Sequence, residues 1–181
     1  MNELDLIRGQ LRAERNRVIE VALACAAAGA TDGFRQSALD YLVFVLTRFE
    51  ERDQMLAEQY RARLPPSDPI RREVDEIMSR PGTSREALAK LEAALGGPTD
   101  GARAERWRAF ALFFEGSWRA RRDAIDGLQE SNLRVADWRA VSFVDADSIL
   151  EERTRYARVQ SSLTNAARSA LSDSTSPSRA S

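Results

Sequence analysis

Apolar residues three and four apart, in long runs cut short by paired helix breakers, constrain this chain more than any other feature. They leave room for helices and almost none for strands. In the first segment Leu4, Ile7, Leu11, Val18, Ala22 and Cys25 share one stripe, which predicts a helix over residues 3 to 28 with Gly29 as its stop. Thr31-Asp32-Gly33 then forms a turn in which Thr31 or Asp32 caps the next helix. That second helix shows Phe34, Ala38, Tyr41, Val45, Phe49, Leu56 and Tyr60, widened by Leu39, Leu42 and Leu46, and ends at Pro65-Pro66.

A shorter helix follows over residues 69 to 79, stopped by Pro81-Gly82. Thr83 with Glu86 three residues on forms a capping box and opens a helix through Leu88, Leu91 and Leu95, which Gly96-Gly97-Pro98 closes. The longest helix is expected over residues 100 to 130, with Trp107, Phe110, Phe114, Trp118, Ile125 and Leu128 on its inner face. Aromatics at this spacing read as core. A loop over residues 131 to 137 leads to Trp138, and a last helix runs from Ser148 to about Ser169. Long helices on short connections predict an all-α, up-and-down four-helix bundle with extra short helices. It takes residues 1–171 as a single domain, with a disordered tail at 172–181. The 181 residues suffice for one core and fall short of two.

Composition narrows the function classes. There is no histidine, so histidine-ligated metals and histidine-based catalysis are excluded. Basic and acidic residues balance, 27 against 28 and interspersed, which argues against a nucleic-acid-binding domain. Lys90 is the one lysine and every other basic residue is arginine, as codon usage in a GC-rich genome produces. Cys25, the sole cysteine, sits among alanines and reads as a small buried apolar group, with no disulfide or thiolate cluster to form. The apolar run from Val18 to Ala30 is interrupted by Glu20, preceded by acidic residues, and too short to span a bilayer. It reads as a helix interior rather than a targeting segment. A cytoplasmic protein with no membrane segment and no cofactor is expected.

Three predicted inner faces carry charge where the apolar stripe should continue. They hold Glu14 or Arg15 in the first helix, Glu50 and then Gln54 in the second, and Arg121 with Arg122 in the long helix. Buried charges must pair or reach water. One reading is a solvated seam of arginines with snorkelling heads. The other is a polar cluster at mid-bundle, Arg15 and Arg121 facing Glu50, that locks helix register or holds a small anion.

Four stretches, Leu-Ile-Arg-Gly-Gln-Leu-Arg-Ala-Glu-Arg (6–15), Tyr-Leu-Val-Phe-Val-Leu-Thr-Arg-Phe-Glu-Glu-Arg-Asp (41–53), Phe-Phe-Glu-Gly-Ser-Trp-Arg-Ala-Arg-Arg-Asp (113–123) and Leu-Arg-Val-Ala-Asp-Trp (133–138), together resemble the hemerythrin-like (HHE cation-binding) family. That family is a four-helix bundle holding non-haem iron through histidines and carboxylates. The likeness runs from the first helix to the start of the last. It implies that the family's first-helix histidine falls near Arg15 and its second-helix histidine and carboxylate near Glu50 and Gln54. The last-helix pair falls near Ser117 and Arg121, and the third-helix histidine between Ile77 and Pro81. Every one of those histidines is replaced, and arginine stands where a cation would lie, which like charge disfavours.

The sequence therefore predicts a metal-free bundle that binds a protein partner or a small anionic ligand, with Glu14, Arg15, Glu50, Gln54, Ser117 and Arg121 as binding residues and no catalytic set. The alternative is a ferritin-like, carboxylate-only metal protein or acid–base enzyme using Glu14, Glu50, Glu76 and Glu115. A homo-oligomer joined through Phe113, Phe143 and Tyr156 is the third reading.

Overall fold

Each break read in the sequence separates two helices. The computed structural model describes residues 3–27, 29–95, 99–142 and 146–163, and among these no strand occurs. The first helix, α1 (Glu3–Ala26), ends just before Gly29, whose φ of 83° is a left-handed conformation that glycine adopts readily. Thr31, not Asp32, caps α2 (Asp32–Arg63), its Oγ1 accepting from the Phe34 N–H at 3.2 Å. Leu64 is extended before Pro65, as the residue preceding proline must be. Asp68 caps α3 (Pro69–Ser79), which has proline in its first turn.

The capping box forms as expected at α4 (Ser84–Leu95). Thr83 Oγ1 accepts from the Glu86 N–H at 3.1 Å, and the Glu86 carboxylate accepts from Thr83 and Gly82 N–H at 3.0 and 2.5 Å. Those backbone bonds hold the Glu86 carboxyl below its usual pKa. Thr99 caps α5 (Asp100–Phe113).

Two expectations need correction. The long helix is not uniformly α-helical: α5 passes into a π turn, Phe114–Trp118, before α6 (Arg119–Asn132). Within that turn the Arg119 N–H bonds back to the Phe114 carbonyl, five residues away. The expected loop at 131–137 instead holds the end of α6 and the start of α7 (Val135–Ser142). Asp137 Oδ2 accepts from the Arg134 N–H at 3.2 Å, which supplies the partner a helix start needs, in a segment too short to show a period. The last helix, α8 (Ala146–Ser161), starts slightly earlier than expected, and its predicted end at Ser169 and the tail at 172–181 lie outside the described residues.

α2 is the hub, packing on α1, α3, α4, α7 and α8, while α1 lies closely along α5. The aromatic stripe is buried as expected: Trp107, Phe110, Phe114 and Trp118 belong to the largest core cluster, and Phe114 stacks on Trp118 at 4.0 Å. Phe49 of α2 meets Trp118 at 5.1 Å, tying α2 to the π turn. Cys25 is buried as read, and burial pushes its thiol pKa up and makes it inert. The loop between α3 and α4 docks on the π turn through Gly82, whose φ is 93°. A Cβ there would stand 2.5 Å from the Ser117 carbonyl oxygen, so only glycine fits. No described helix is long and apolar enough to cross a membrane.

Candidate functional site

An i+4 row drifts about 40° per step around a helix, because four residues turn through more than one revolution. This drift explains which predicted residues reach the interior. The row Leu42, Leu46, Glu50, Gln54 rotates steadily off the core, so Glu50 is half-buried and Gln54 exposed. The core of α2 continues instead through Phe49 to Arg52 and Asp53 and then Leu56, and both charged residues are buried. Arg121 and Arg122 of α6 are buried as anticipated, Ser117 is exposed, Glu14 is buried, and Arg15 is half-buried.

The pairing differs from the one expected. Arg15 and Arg121 do not face Glu50; the acceptor at the centre is Asp53. Arg121 Nη1 donates to Asp53 Oδ2 at 2.8 Å, and Arg122 Nη1 donates to Asp53 Oδ1. Arg121 Nε also donates to the Ile77 carbonyl at 3.2 Å, tying α3 to α6. On α1, Glu14 accepts from Gln10 at 3.1 Å and pairs with Arg48 at 3.5 Å. Arg15 pairs with Asp126 of α6 at 2.8 Å and Asp123 at 3.6 Å. Arg52 lies over the Phe49 ring at 5.1 Å, with Asp126, Asp53 and Glu14 as its charged surroundings.

Burial disfavours charge of both signs in this cluster. Burial lowers the Arg52 pKa despite those three carboxylates. Burial also pushes Asp53 up to about 6, against the pull of Arg52 and Arg121. Arg52 Nε and Nη1, Arg122 Nε and Nη2, Asp126 Oδ1 and Glu50 Oε2 are buried without hydrogen-bond partners. Beside this cluster, where α1 parts from α6, runs a cleft of about 350 Å³ lined by Arg12, Arg15, Asn16, Asp123 and Asp126.

A second buried charge network escaped the sequence reading. Glu152 of α8 is fully buried; it accepts from Arg17 Nε and Nη2 at 2.8 and 2.7 Å and from the Tyr41 hydroxyl at 2.6 Å. The row Ile149, Glu152, Tyr156, Val159 places Glu152 on the inner stripe of α8 and could have revealed it. Its bonds raise the Arg17 pKa although burial works the other way, while burial, first, and the Glu152 charge raise that of Tyr41.

The carboxylates of the alternative reading do not gather. Glu76 pairs with Arg80 and Glu115 with Arg119, both on the surface. Among the described residues no three His, Cys, Asp or Glu side chains converge to hold a metal. Of the proposed interface aromatics, Phe113 and Tyr156 are half-buried and pack against the core, with Lys90 over Phe113 and the Tyr156 hydroxyl donating to Glu20. Phe143 lies outside the described residues. No protein-family model matches the chain, nor does any curated protein or solved structure.

Proposed function

We propose that this chain is a metal-free, hemerythrin-like four-helix bundle of the cytoplasm whose function is to bind a small anionic ligand. In this reading α1, α2, the α5–α6 unit and α8 serve as the four bundle helices, and α3, α4 and α7 are additions. Arginine–carboxylate pairs fill the mid-bundle level at which the resemblance would seat iron. One observation carries the reading: Arg52, Arg121 and Arg122 are buried beside Asp53, and Arg52 and Arg122 keep guanidinium nitrogens without an acceptor. Stability alone would be served better by apolar side chains of similar volume.

Elemental analysis with thermal unfolding tests this. Purified protein is expected to hold no stoichiometric iron or manganese, and its Tm is expected to rise with small oxyanions more than with equal chloride. Tightly held metal, or a Tm indifferent to every anion, removes the reading.

One feature favours docking of a protein partner as a second reading. A groove of about 590 Å³ between α1, α7 and α8 is lined by Leu6, Ile7 and Ile149, and Leu6 is 54% exposed. For a second copy of the chain as that partner, Leu6→Glu should dissociate the dimer in sedimentation. A wild-type monomer at high concentration removes this version.

A further inference from the structure

We propose that a small oxyanion binds between Arg52 and Arg122, reached along the cleft between α1 and α6, at a place that the Asp126 carboxylate half fills. The proposal rests on the anion-binding reading above and specifies where the ligand sits and what class it belongs to. Arg52 and Arg122 converge on one ring, their guanidinium carbons 5.1 and 5.8 Å from the Phe49 centroid. Each side chain is nearly or wholly excluded from solvent, 2% and 0% exposed, and each leaves Nε and one Nη without an acceptor. The unmet acceptors close by are one oxygen of Asp126 and one of Glu50.

Donors therefore outnumber acceptors, and buried donors demand partners. A group that accepts several hydrogen bonds and carries negative charge would meet them best. An oxyanion does both; a cation would be repelled, and an apolar ligand would leave the guanidinium nitrogens bare.

Asp126 marks the position. Its Oδ2 lies 2.8 Å from Arg15 Nη2, whereas its Oδ1 stops 3.7 Å from Arg122 Nη2, too far for a hydrogen bond. The protein's own carboxylate makes one good contact there and misses the other. A ligand oxygen placed deeper would complete the second. The neighbouring carboxylates do not use up these donors. On α1, Glu14 is taken by Gln10 and Arg48, and on α2, Asp53 is taken by Arg121 and the other terminal nitrogen of Arg122.

Isothermal titration of the full chain with inorganic phosphate and, separately, with acetate tests the site and distinguishes a tetrahedral from a planar ligand. Single-site binding of at least one is expected. Arg52→Gln should weaken it about tenfold by removing a charge-assisted donor. Asp126→Asn should tighten it about threefold by removing a competing negative charge, a gain that general destabilisation would not produce. Circular dichroism confirms that each variant is folded. Binding that ignores both substitutions, or that Asp126→Asn weakens, overturns the placement and leaves anion binding standing. Failure of both anions to bind overturns the placement and the proposed function together.

Discussion

Glu152 and Asp53 are both shut away from water, and the chain treats them in opposite ways. Glu152 meets one bidentate arginine and one hydroxyl, each within 2.8 Å, on three different helices. Charge and hydrogen-bond demand are matched there, and the Arg17 pKa rises. Asp53 must serve Arg121 and Arg122 while Arg52 stands by without a matched acceptor, and the Arg52 pKa falls. Both sites hold a buried carboxylate against arginine, so burial of charge does not by itself mark a functional site. Completion of the hydrogen bonds separates them: the first is a clamp, and the second is unfinished.

The sharpest way to break the comparison is to remove the carboxylate of the clamp. Glu152→Ala leaves Arg17 and Tyr41 without their acceptor and should cost about 3–5 kcal/mol, read from the urea midpoint. The second test uses pH. Because the folded chain holds the Asp53 proton more tightly than the ordinary 3.8, its stabilising contribution is fully present below pH 3.8 and lost as pH climbs through about 6. A shift of this size is worth up to ~3 kcal/mol, so Asp53→Asn should gain on the wild type between pH 4 and 7.5 in paired denaturations. A constant difference would show that Asp53 is as well matched as Glu152.

Gly82→Ala probes the frame rather than either carboxylate. With a backbone carbonyl in the way and a left-handed φ to hold, it should cost ~1–3 kcal/mol in the same measurement. The smallest effect is expected at Arg52→Met, within ~1 kcal/mol of wild type or slightly stabilising, since its stem volume is kept and an unmatched charge is lost. A large loss there would move Arg52 into the same class as Arg17.

Much of the fold was legible because helix ends are written locally. Pro65-Pro66, Asp68-Pro69 and the Thr83–Glu86 box each act within one turn, and their effect needs no tertiary information. The short α7 was not legible, since its start depends on one Asp137 contact and its anchor, Trp138, is buried against Ile7 and Leu11 far away in sequence. The π turn was also hidden, because Phe114 and Trp118 keep a spacing that an ordinary helix would share.

The candidate site was half legible for a related reason. Glu14, Arg15, Arg121 and Arg122 lie near the start or middle of short extrapolations from apolar residues, where angular error is small. Glu50 and Gln54 came from a longer i+4 row whose drift had already carried it away from the core, and Arg52 with Asp53 took the inner position. Asp126, the acceptor for Arg15, belongs to another helix and could not be paired from spacing alone.

The wide turn at Phe114–Trp118 consumes one residue more than an α turn would. Deleting one residue within it would let the helix run on regularly, with everything after Trp118 keeping nearly its present angular place, because the wide turn already absorbs the extra residue. Arg121 and Arg122 would then still face Asp53. A single-codon loss at this turn would therefore spare both the interior chemistry and the helices that enclose it, which the same loss inside a wholly regular helix would not.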